Sequence, residues 1–220
     1  MKDLVIFGTG GWAREISQIV QDINAIRETW NLVGFLDQAR SRWGGEVHDL
    51  PVLQDEQWLA RHPHTAVVVA IGDPVTRRRI VLELQRLGHT NFPQLVHPLA
   101  WISRGVETGP GTVIHAGVLI SPDVKIGNHA IVNKNCTIGH DTIIEDYTTI
   151  APSATIAGKV RIGEGCDVGA SCTVIQCLQI GNWSIIGAGT VVVRDLQPNV
   201  TAVGTPAKTI KERSEGWQDE

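Results

Sequence analysis

The sequence predicts two unlike halves, an α/β domain followed by an all-β parallel β-helix. Three observations lead to this expectation. Strand-like and helix-like segments alternate over about the first 95 residues, an aliphatic residue then recurs at every sixth position, and aromatic residues are concentrated in the first half. Eight of the 11 aromatic residues lie in residues 1–101. Because aromatic side chains normally supply much of a buried core, the second half must pack small and β-branched residues instead.

The six-residue repeat begins at Val96 and continues to Val192 without an insertion. Sixteen of its seventeen positions are Ile or Val, the exception being Thr108, and the fourth residue after each is usually small or β-branched. This hexapeptide repeat is typical of a parallel β-helix, in which each hexad forms a short strand and a turn, and three hexads, about 18 residues, close one coil. Both recurring positions are therefore expected to point inward. Residues 194–208 break the period, and the polar tail 209–220 is expected to fray or to form a short helix.

The four cysteines show no CxxC pair. Cys136, Cys166 and Cys172 fall at the small inward position, which favours small buried hydrophobic side chains over metal ligands. We therefore expect no metal site, and a cytoplasmic protein with reduced thiols.

The first 95 residues read as a small Rossmann-like unit. A strand at Leu4–Phe7 runs into GTGGWA at positions 8–13, which fits G-x-G-x-x-A between a strand and a helix over 13–22. Glycines at such a turn let a phosphate approach the helix N-terminus, although a tight structural turn would give the same pattern. A nicotinamide dehydrogenase is excluded by size, because only half of a Rossmann fold is present and no second substrate domain follows.

Two further strands, 32–36 and 66–71, end at polar residues. Ligands of open α/β sheets bind at the carboxyl ends of the strands, so these positions join the glycine turn as candidates for substrate binding. A helix is expected over 75–87. The candidates are Gly8, Gly10, Gly11, Asp37, Gly72 and Asp73.

The charge distribution excludes several classes of partner. Nineteen basic and 23 acidic residues give a formal net charge of −4, and the densest basic run, 77–79, is better explained as one solvated helix turn. Nucleic acid binding through phosphate neutralisation is therefore not expected. The N-terminal segment is too short and too glycine-rich for a signal peptide or a membrane span.

The two halves together resemble the bacterial sialic acid O-acetyltransferase and nucleotide-aminosugar N-acetyltransferase family. The resemblance covers 4–208 and rests on the glycine turn, LVHP at 95–98, GHD at 139–141 and VGTPAK at 203–208. It implies a left-handed β-helix, a homotrimer with active sites between neighbouring prisms, and acetyl-CoA in the groove between them. The domains are then 1–95, binding a nucleotide-linked sugar, 96–208, the acetyltransferase β-helix, and the tail 209–220.

The resemblance also implies roles for individual residues. His140 matches the family's catalytic histidine and would act as general base, and Asp141 matches its acidic neighbour. Asn133 matches a polar position near the reacting centre, but a simple turn asparagine is an equal alternative. The acetyl-CoA contacts map to Gly169-Ala170 and Gly187-Ala188, one coil apart. Lys208 would meet a phosphate or be a solvated lysine.

The remaining histidines and aromatics receive simpler interpretations. His97 is either structural or near the sugar, and His115 and His129 fall at prism turns. The other four, His48, His62, His64 and His89, are expected at the surface. Tyr147 and Trp183 should point outward at corners of the prism or into the groove between subunits.

The function expected from the resemblance is N-acetylation of a nucleotide-linked amino sugar in bacterial surface glycan biosynthesis. O-acetylation of a sugar hydroxyl is the nearest alternative, because both reactions need a base. A non-catalytic β-helix that binds or scaffolds is the alternative from another class, and the GHD and VGTPAK segments argue against it.

Overall fold

The computed structural model describes residues 1–219, which form two compact units. The N-terminal unit comprises Met1–Gly72 and Thr76–Pro98, and the C-terminal unit comprises Asp73–Val75 and the chain from Leu99 onward.

The N-terminal unit contains a small parallel sheet with helices. Strands β1, β2 and β5 form the sheet in the order β2-β1-β5, and β3 and β4 form a separate antiparallel pair. A short 3-10 turn covers Arg40–Arg42. The elements are β1 (Lys2–Phe7), α1 (Gly11–Ile26), β2 (Trp30–Leu36), β3 (Glu46–Val47), β4 (Leu50–Pro51), α2 (Glu56–Arg61), β5 (Ala66–Val69), α3 (Pro74–Arg86) and β6 (Leu95–Val96).

The sequence pattern explains this sheet and its main helix. Leu4–Phe7 in β1 is fully buried, as expected for a central parallel strand, and α1 buries Ala13, Ile16 and Ile19 at helical spacing. Gly8 connects the two elements with φ +114°, and a Cβ there would lie 3.0 Å from the Ala70 carbonyl oxygen. Only glycine fits this turn. The expected α/β architecture of this unit is confirmed.

The C-terminal unit is a three-faced parallel β-solenoid of two-residue strands. Face 1 comprises β7 (Trp101–Ile102), β10 (Leu119–Ile120), β13 (Thr137–Ile138), β16 (Thr155–Ile156), β19 (Thr173–Val174) and β22 (Val191–Val192). Face 2 comprises β8 (Glu107–Thr108), β11 (Lys125–Ile126), β14 (Ile143–Ile144), β17 (Arg161–Ile162) and β20 (Gln179–Ile180). Face 3 includes β9 (Val113–Ile114), β12 (Ile131–Val132), β15 (Thr149–Ile150), β18 (Asp167–Val168), β21 (Ile185–Ile186), β23 (Val200–Val203) and β24 (Lys208–Glu212).

Strands 18 residues apart stack in register, so that the aliphatic residues form continuous inward columns. On face 1, Ile120 aligns with Ile138, which aligns with Ile156, and all three are buried. This is the interior that the hexad pattern predicts.

The small inward residues also form hydrogen bonds, which the sequence pattern does not reveal. The Thr148 hydroxyl donates to the Gly163 carbonyl (2.8 Å), and the Thr142 hydroxyl donates to that of Ala157 (3.0 Å). The Cys172 thiol occupies the same position and lies 3.2 Å from the Gly187 carbonyl oxygen. Each donor reaches a corner carbonyl 15 residues later, so this position selects small side chains that can also donate.

The tail differs from its expectation. Instead of fraying, β24 pairs antiparallel with β23, across a loop that contains the cis bond between Thr205 and Pro206. A 3-10 turn follows at Trp217–Asp219, and the Arg213 guanidinium lies 4.5 Å from the Trp217 ring centroid. All five residues of β24 are exposed, so no buried alternation marks this strand in the sequence.

Among residues 1–219, no helix combines the length and the apolar character needed to cross a membrane.

Candidate active site

His140 and Asp141 form the turn between β13 on face 1 and β14 on face 2. We call this edge of the solenoid the histidine corner. Asp141 has φ +58°, the left-handed conformation that recurs in these turns, and it brings its carboxylate back to the preceding residue. Nδ1 of His140 lies 2.7 Å from Oδ2 of Asp141, and the two side chains are 60% and 52% exposed. The sequence left this contact undetermined; the structure makes it.

The His140 ring lies directly over Gly158, which occupies the same place one coil later. A Cβ at Gly158 would lie only 2.7 Å from Nε2 of His140. The coils are tied together here, because Lys159 N–H donates to the His140 carbonyl (2.8 Å). Within the described residues, the Gly158 N–H donates to no protein acceptor, so it is an available donor beside the imidazole.

The other predicted prism residues lie at a different edge, between face 3 and face 1. We call it the glycine corner. Asn133, Gly169 and Gly187 share one column there, because they differ by whole coils of 18 residues. Asn133 keeps its side-chain oxygen on the Lys134 N–H (2.8 Å). One chain therefore does not bring these residues to the histidine corner, although both edges border face 1.

The glycine corner presents free backbone donors one coil apart. The N–H groups of Gly169 and Gly187 are used in the ladder, donating to Ile186 (2.8 Å) and Ala202 (2.9 Å). Over residues 1–219, the neighbouring N–H groups of Ala170 and Ala188 meet no protein acceptor. Lys208, in β24, is exposed.

In the N-terminal unit, Asp37 lies at the carboxyl end of β2 and is tied to the glycine turn. Its Oδ2 accepts from the Thr9 hydroxyl (2.5 Å) and lies 3.3 Å from an Arg42 guanidinium nitrogen, which also donates to Thr9. Its Oδ1 accepts from the Ala39 N–H (2.9 Å). Asp37 thus holds the following loop against the turn, and a direct contact with substrate stays a prediction.

Sequence reasoning missed Thr9 and Arg42. Neither belongs to a periodic pattern, since Thr9 is the variable residue of the glycine motif and Arg42 lies in the 3-10 turn after β2. Both line a depression of about 300 Å³ beside the turn, together with Ser41, Gly45 and Val47.

Three of the predicted glycines border open space. A Cβ at Gly10 or Gly72 would meet nothing within 4 Å, and one at Gly11 would meet only the end of Arg14, at 3.8 Å. Packing within the chain therefore does not require glycine at these positions. Beside Gly72, the buried Arg77 donates to the carbonyls of Ile71 (2.7 Å) and Gly72 (2.8 Å). Asp73 directly precedes α3.

Comparison with known proteins places the chain in a family. The family model described as the PglD N-terminal domain matches residues 3–84, and the bacterial transferase hexapeptide model (six repeats) matches residues 141–176. A perosamine N-acetyltransferase variant from Caulobacter crescentus, with one histidine replaced by asparagine and CoA and GDP-perosamine bound, superposes with a TM-score of 0.86. It is 32% identical, over 96% of this chain and 98% of that one. The chain belongs to the hexapeptide-repeat family of left-handed β-helix acyltransferases.

Two further relatives of this acyltransferase are informative. The acetyltransferase domain of PglB from Neisseria gonorrhoeae FA1090, in complex with acetyl coenzyme A, has a TM-score of 0.85 and 27% identity, covering 95% of this chain and 99% of that one. UDP-N-acetylbacillosamine N-acetyltransferase from Bacillus subtilis (strain 168) is 36% identical over 117 residues, 53% of this chain. In that comparison the chain spans about half of the relative's length, 52%. The family expected from the sequence, and its left-handed β-helix, are confirmed.

Several histidines of this acyltransferase differ from their expected surroundings. His89 is buried rather than at the surface, because it packs edge-on against Phe92 (5.7 Å between centroids), and burial lowers its pKa below 6.5. His97 is buried, with Nε2 2.9 Å from Oδ2 of Asp22. His129, at a left-handed turn position, stacks on Tyr147 at 5.6 Å.

Trp183 occupies a corner, as expected, but its side chain is buried, because it covers Gly165 of the preceding coil. The three inward cysteines are also buried, and burial raises the pKa of Cys136 to about 11 and that of Cys166 to about 12. No group of three or more His, Cys, Asp or Glu side chains suited to a metal ion occurs within residues 1–219.

The largest depression of the acyltransferase, about 490 Å³, lies on face 2 and contains none of the predicted site residues. Its rim is acidic, but two of its carboxylates are already engaged, Glu145 with Arg161 and Asp146 with Asn128. It is therefore better explained as part of the solenoid surface than as the reaction site.

Proposed function

We propose that this protein transfers the acetyl group of acetyl-CoA to the amino group of a nucleotide-linked amino sugar. The observation that carries the proposal is the exposed His140–Asp141 pair in the hexad turn, an accessible imidazole held by a carboxylate. The relatives support it, since they are N-acetyltransferases, one with CoA and GDP-perosamine bound and one with acetyl coenzyme A bound.

In this mechanism the acetyl group passes directly from sulfur to nitrogen. The neutral amine attacks the thioester carbonyl and forms the C–N bond, while Nε2 of His140 takes the proton that the nitrogen loses. The tetrahedral intermediate then collapses, the C–S bond breaks, and CoA leaves as a thiolate that takes up a proton. Asp141 accepts the Nδ1–H and so leaves Nε2 free as the base. The free N–H of Gly158 is placed to stabilise the oxyanion.

The N-terminal unit would bind the nucleotide. Gly10, Gly11 and Gly72 leave room at the carboxyl ends of β1 and β5, and α1 begins at Gly11 without a side-chain cap. Unpaired N–H groups at such a helix start favour a phosphate. The Arg42 guanidinium, tied to Thr9 and Asp37, adds a positive charge beside this turn.

We further infer a homotrimer in which each site is shared between two copies. Face 1 is exposed and carries no charged residue at its outward positions, with Trp101 59% and Leu119 47% exposed. Charged residues are depleted in interface cores. The outward residues of face 1 are Trp101, Leu119, Thr137, Thr155, Thr173 and Val191, whereas those of face 2 are Glu107, Lys125, Ile143, Arg161 and Gln179.

Turning face 1 of three copies toward a common axis brings the histidine corner of one copy to the glycine corner of the next. His140 of one copy would then act on acetyl-CoA bound along the Ala170 and Ala188 donors of another. Lys208 and Asn133 stay candidate contacts of this groove. The unpaired cysteines support a cytoplasmic location.

The test is acetylation of purified nucleotide amino sugars, followed by free-CoA release and by mass spectrometry of the product. We expect His140→Ala to lose most of the activity while remaining folded, and the exposed His64→Ala control to keep it. A panel with amino and hydroxyl acceptors decides between N- and O-acetylation. Wild-type turnover by His140→Ala would refute the mechanism, and exclusive O-acetylation would refute the substrate assignment.

A further inference from the structure

The missing side chain of Gly158 gives the His140 ring its place. A Cβ at Gly158 would lie 2.7 Å from Nε2, 2.9 Å from Cε1 and 3.0 Å from Cδ2 of the imidazole. Carbon–carbon contacts at optimal separation are about 3.5–4.0 Å, so an alanine and the ring could not both occupy these positions. The whole imidazole edge that includes the reactive nitrogen therefore lies on the Cα of residue 158.

The backbone cannot yield to relieve such a clash. Lys159 N–H donates to the His140 carbonyl at 2.8 Å, and Cys177 N–H donates to the Gly158 carbonyl at 3.1 Å, so three successive coils are fixed to one another at this corner. The His140 side chain is different, since it is 60% exposed and its one polar side-chain contact is with Asp141. An added Cβ would therefore displace the ring and leave the coil in place.

Glycine is not needed at 158 for the backbone itself. Residue 158 is not among those with positive φ, whereas the neighbouring Lys159 adopts φ +60°. An alanine at 158 is compatible with the turn and keeps the N–H donor. Its effect would be limited to the space that the ring occupies.

We propose that Gly158 is a positioning residue for the general base, and that its absent side chain fixes the direction in which Nε2 of His140 points. Asp141 holds the ring from the Nδ1 side, and the Gly158 Cα supports it below, so that two contacts define the orientation of one exposed imidazole. This inference depends on the proposed function, in which His140 is the base.

The experiment compares Gly158→Ala with wild type in steady-state kinetics. We expect kcat to fall by about ten- to a hundredfold, because displacing a catalytic group by about 1 Å can cost that much, while both KM values stay within about twofold. The melting temperature should change little, since the ring can move into solvent. Gln176→Ala, at an exposed position one coil further along the same corner, is the matched control and should behave as wild type.

A double-mutant cycle shows whether Gly158 acts through His140. In the His140→Ala background the added Cβ meets no ring, so Gly158→Ala should lower the residual rate no further. Histidine ring resonances give a second readout, because those of His140 should shift in Gly158→Ala while those of buried His129 do not. Wild-type kcat for Gly158→Ala, or an equal loss in both backgrounds, would overturn the inference. Full activity of His140→Ala would instead refute the proposed function itself.

Discussion

Nδ1 of His140 is held 2.7 Å from Oδ2 of Asp141, its neighbour in the sequence. Adjacent residues of a strand point to opposite faces, so this contact exists because both residues lie in a turn and Asp141 has φ +58°. The left-handed turn residue, which seems at first only a device for closing the coil, thus directs a carboxylate to the base.

Replacing Asp141 should separate its charge from its turn geometry. Asparagine tolerates positive φ and keeps an oxygen that can accept the Nδ1–H, so Asp141→Asn should lose about tenfold in kcat through the missing charge alone. Asp141→Ala also loses the acceptor, so that the ring and its tautomer are no longer fixed, and we expect about a hundredfold loss. Steady-state kinetics at constant pH measure both. Equal rates for the two variants would show that Asp141 does not orient the imidazole.

Mixing two inactive variants should restore activity if each site is shared between copies. His140→Ala removes the base, and Ala188→Trp blocks the opposite corner with a bulky ring at an exposed position. In randomly mixed trimers about a quarter of the sites combine an intact histidine corner with an intact glycine corner. Co-expression should therefore recover about a quarter of the wild-type rate. No recovery, in a mixture shown to be trimeric, would place both halves of the site in one chain.

The face that we assign to the interface has its own test. Trp101→Glu combined with Leu119→Glu places charges on the exposed apolar part of face 1, and burial of such charges between copies is costly. Light scattering should then report monomers and free-CoA release should fall. The control Lys125→Glu alters an outward position of face 2 and should stay trimeric and active. A trimeric double variant would exclude face 1 as the interface.

The sequence predicted the solenoid well, because its repeat is a direct record of inward-pointing side chains. Ile138 and Cys136 could be assigned to the interior from the six-residue period alone. The hydrogen bonds of Thr142 and Thr148 could not, since the pattern records size but not where a hydroxyl points. β24 was also missed, because it is exposed throughout and carries no alternation.

The site was less predictable, because it depends on side chains that repeat arithmetic does not address. His140 stood out through its family motif, but nothing in the motif indicates that Gly158, 18 residues later, lies under the ring. The coil length does contain that information, and counting one coil from a catalytic turn would have found it. Arg42 had no comparable signal, and the burial of His89 was concealed by the polar residues around it.

The buried hydroxyls of the solenoid should contribute measurably to its stability. Thr148→Val keeps the volume of the side chain but removes the donor to the Gly163 carbonyl, which is then left buried without this partner. We expect a loss of about 1–2 kcal/mol in the free energy of unfolding. The exposed Thr209→Val should change it by less than about 0.5 kcal/mol. Urea denaturation followed by circular dichroism measures both, and equal midpoints would contradict the structural role of this hydrogen bond.

Thiol labelling should distinguish the four cysteines. Cys136, Cys166 and Cys172 are buried with raised pKa values, about 11 and about 12 for the first two, whereas Cys177 is exposed. The thiolate is the reactive species, so a disulfide reagent at pH 8 should modify one thiol in the native protein and four after denaturation. Cys177→Ser should remove the native signal. Rapid native labelling of a second thiol would show that the solenoid opens or that an inward position is accessible.

The buried His89 should make the stability of the N-terminal unit depend on pH. Burial lowers its pKa below 6.5 in the folded state, so the unfolded state binds a proton that the folded state resists. Stability is therefore full above about pH 6.5 and declines as the pH falls below it, by at most about 1.4 kcal/mol per pH unit for this one group. His89→Leu should remove that decline, while His64→Leu, at an exposed position, should retain it. Urea midpoints of the three proteins at pH 8 and pH 5.5 measure the effect. An identical decline in His89→Leu and wild type would assign the acid sensitivity to another group.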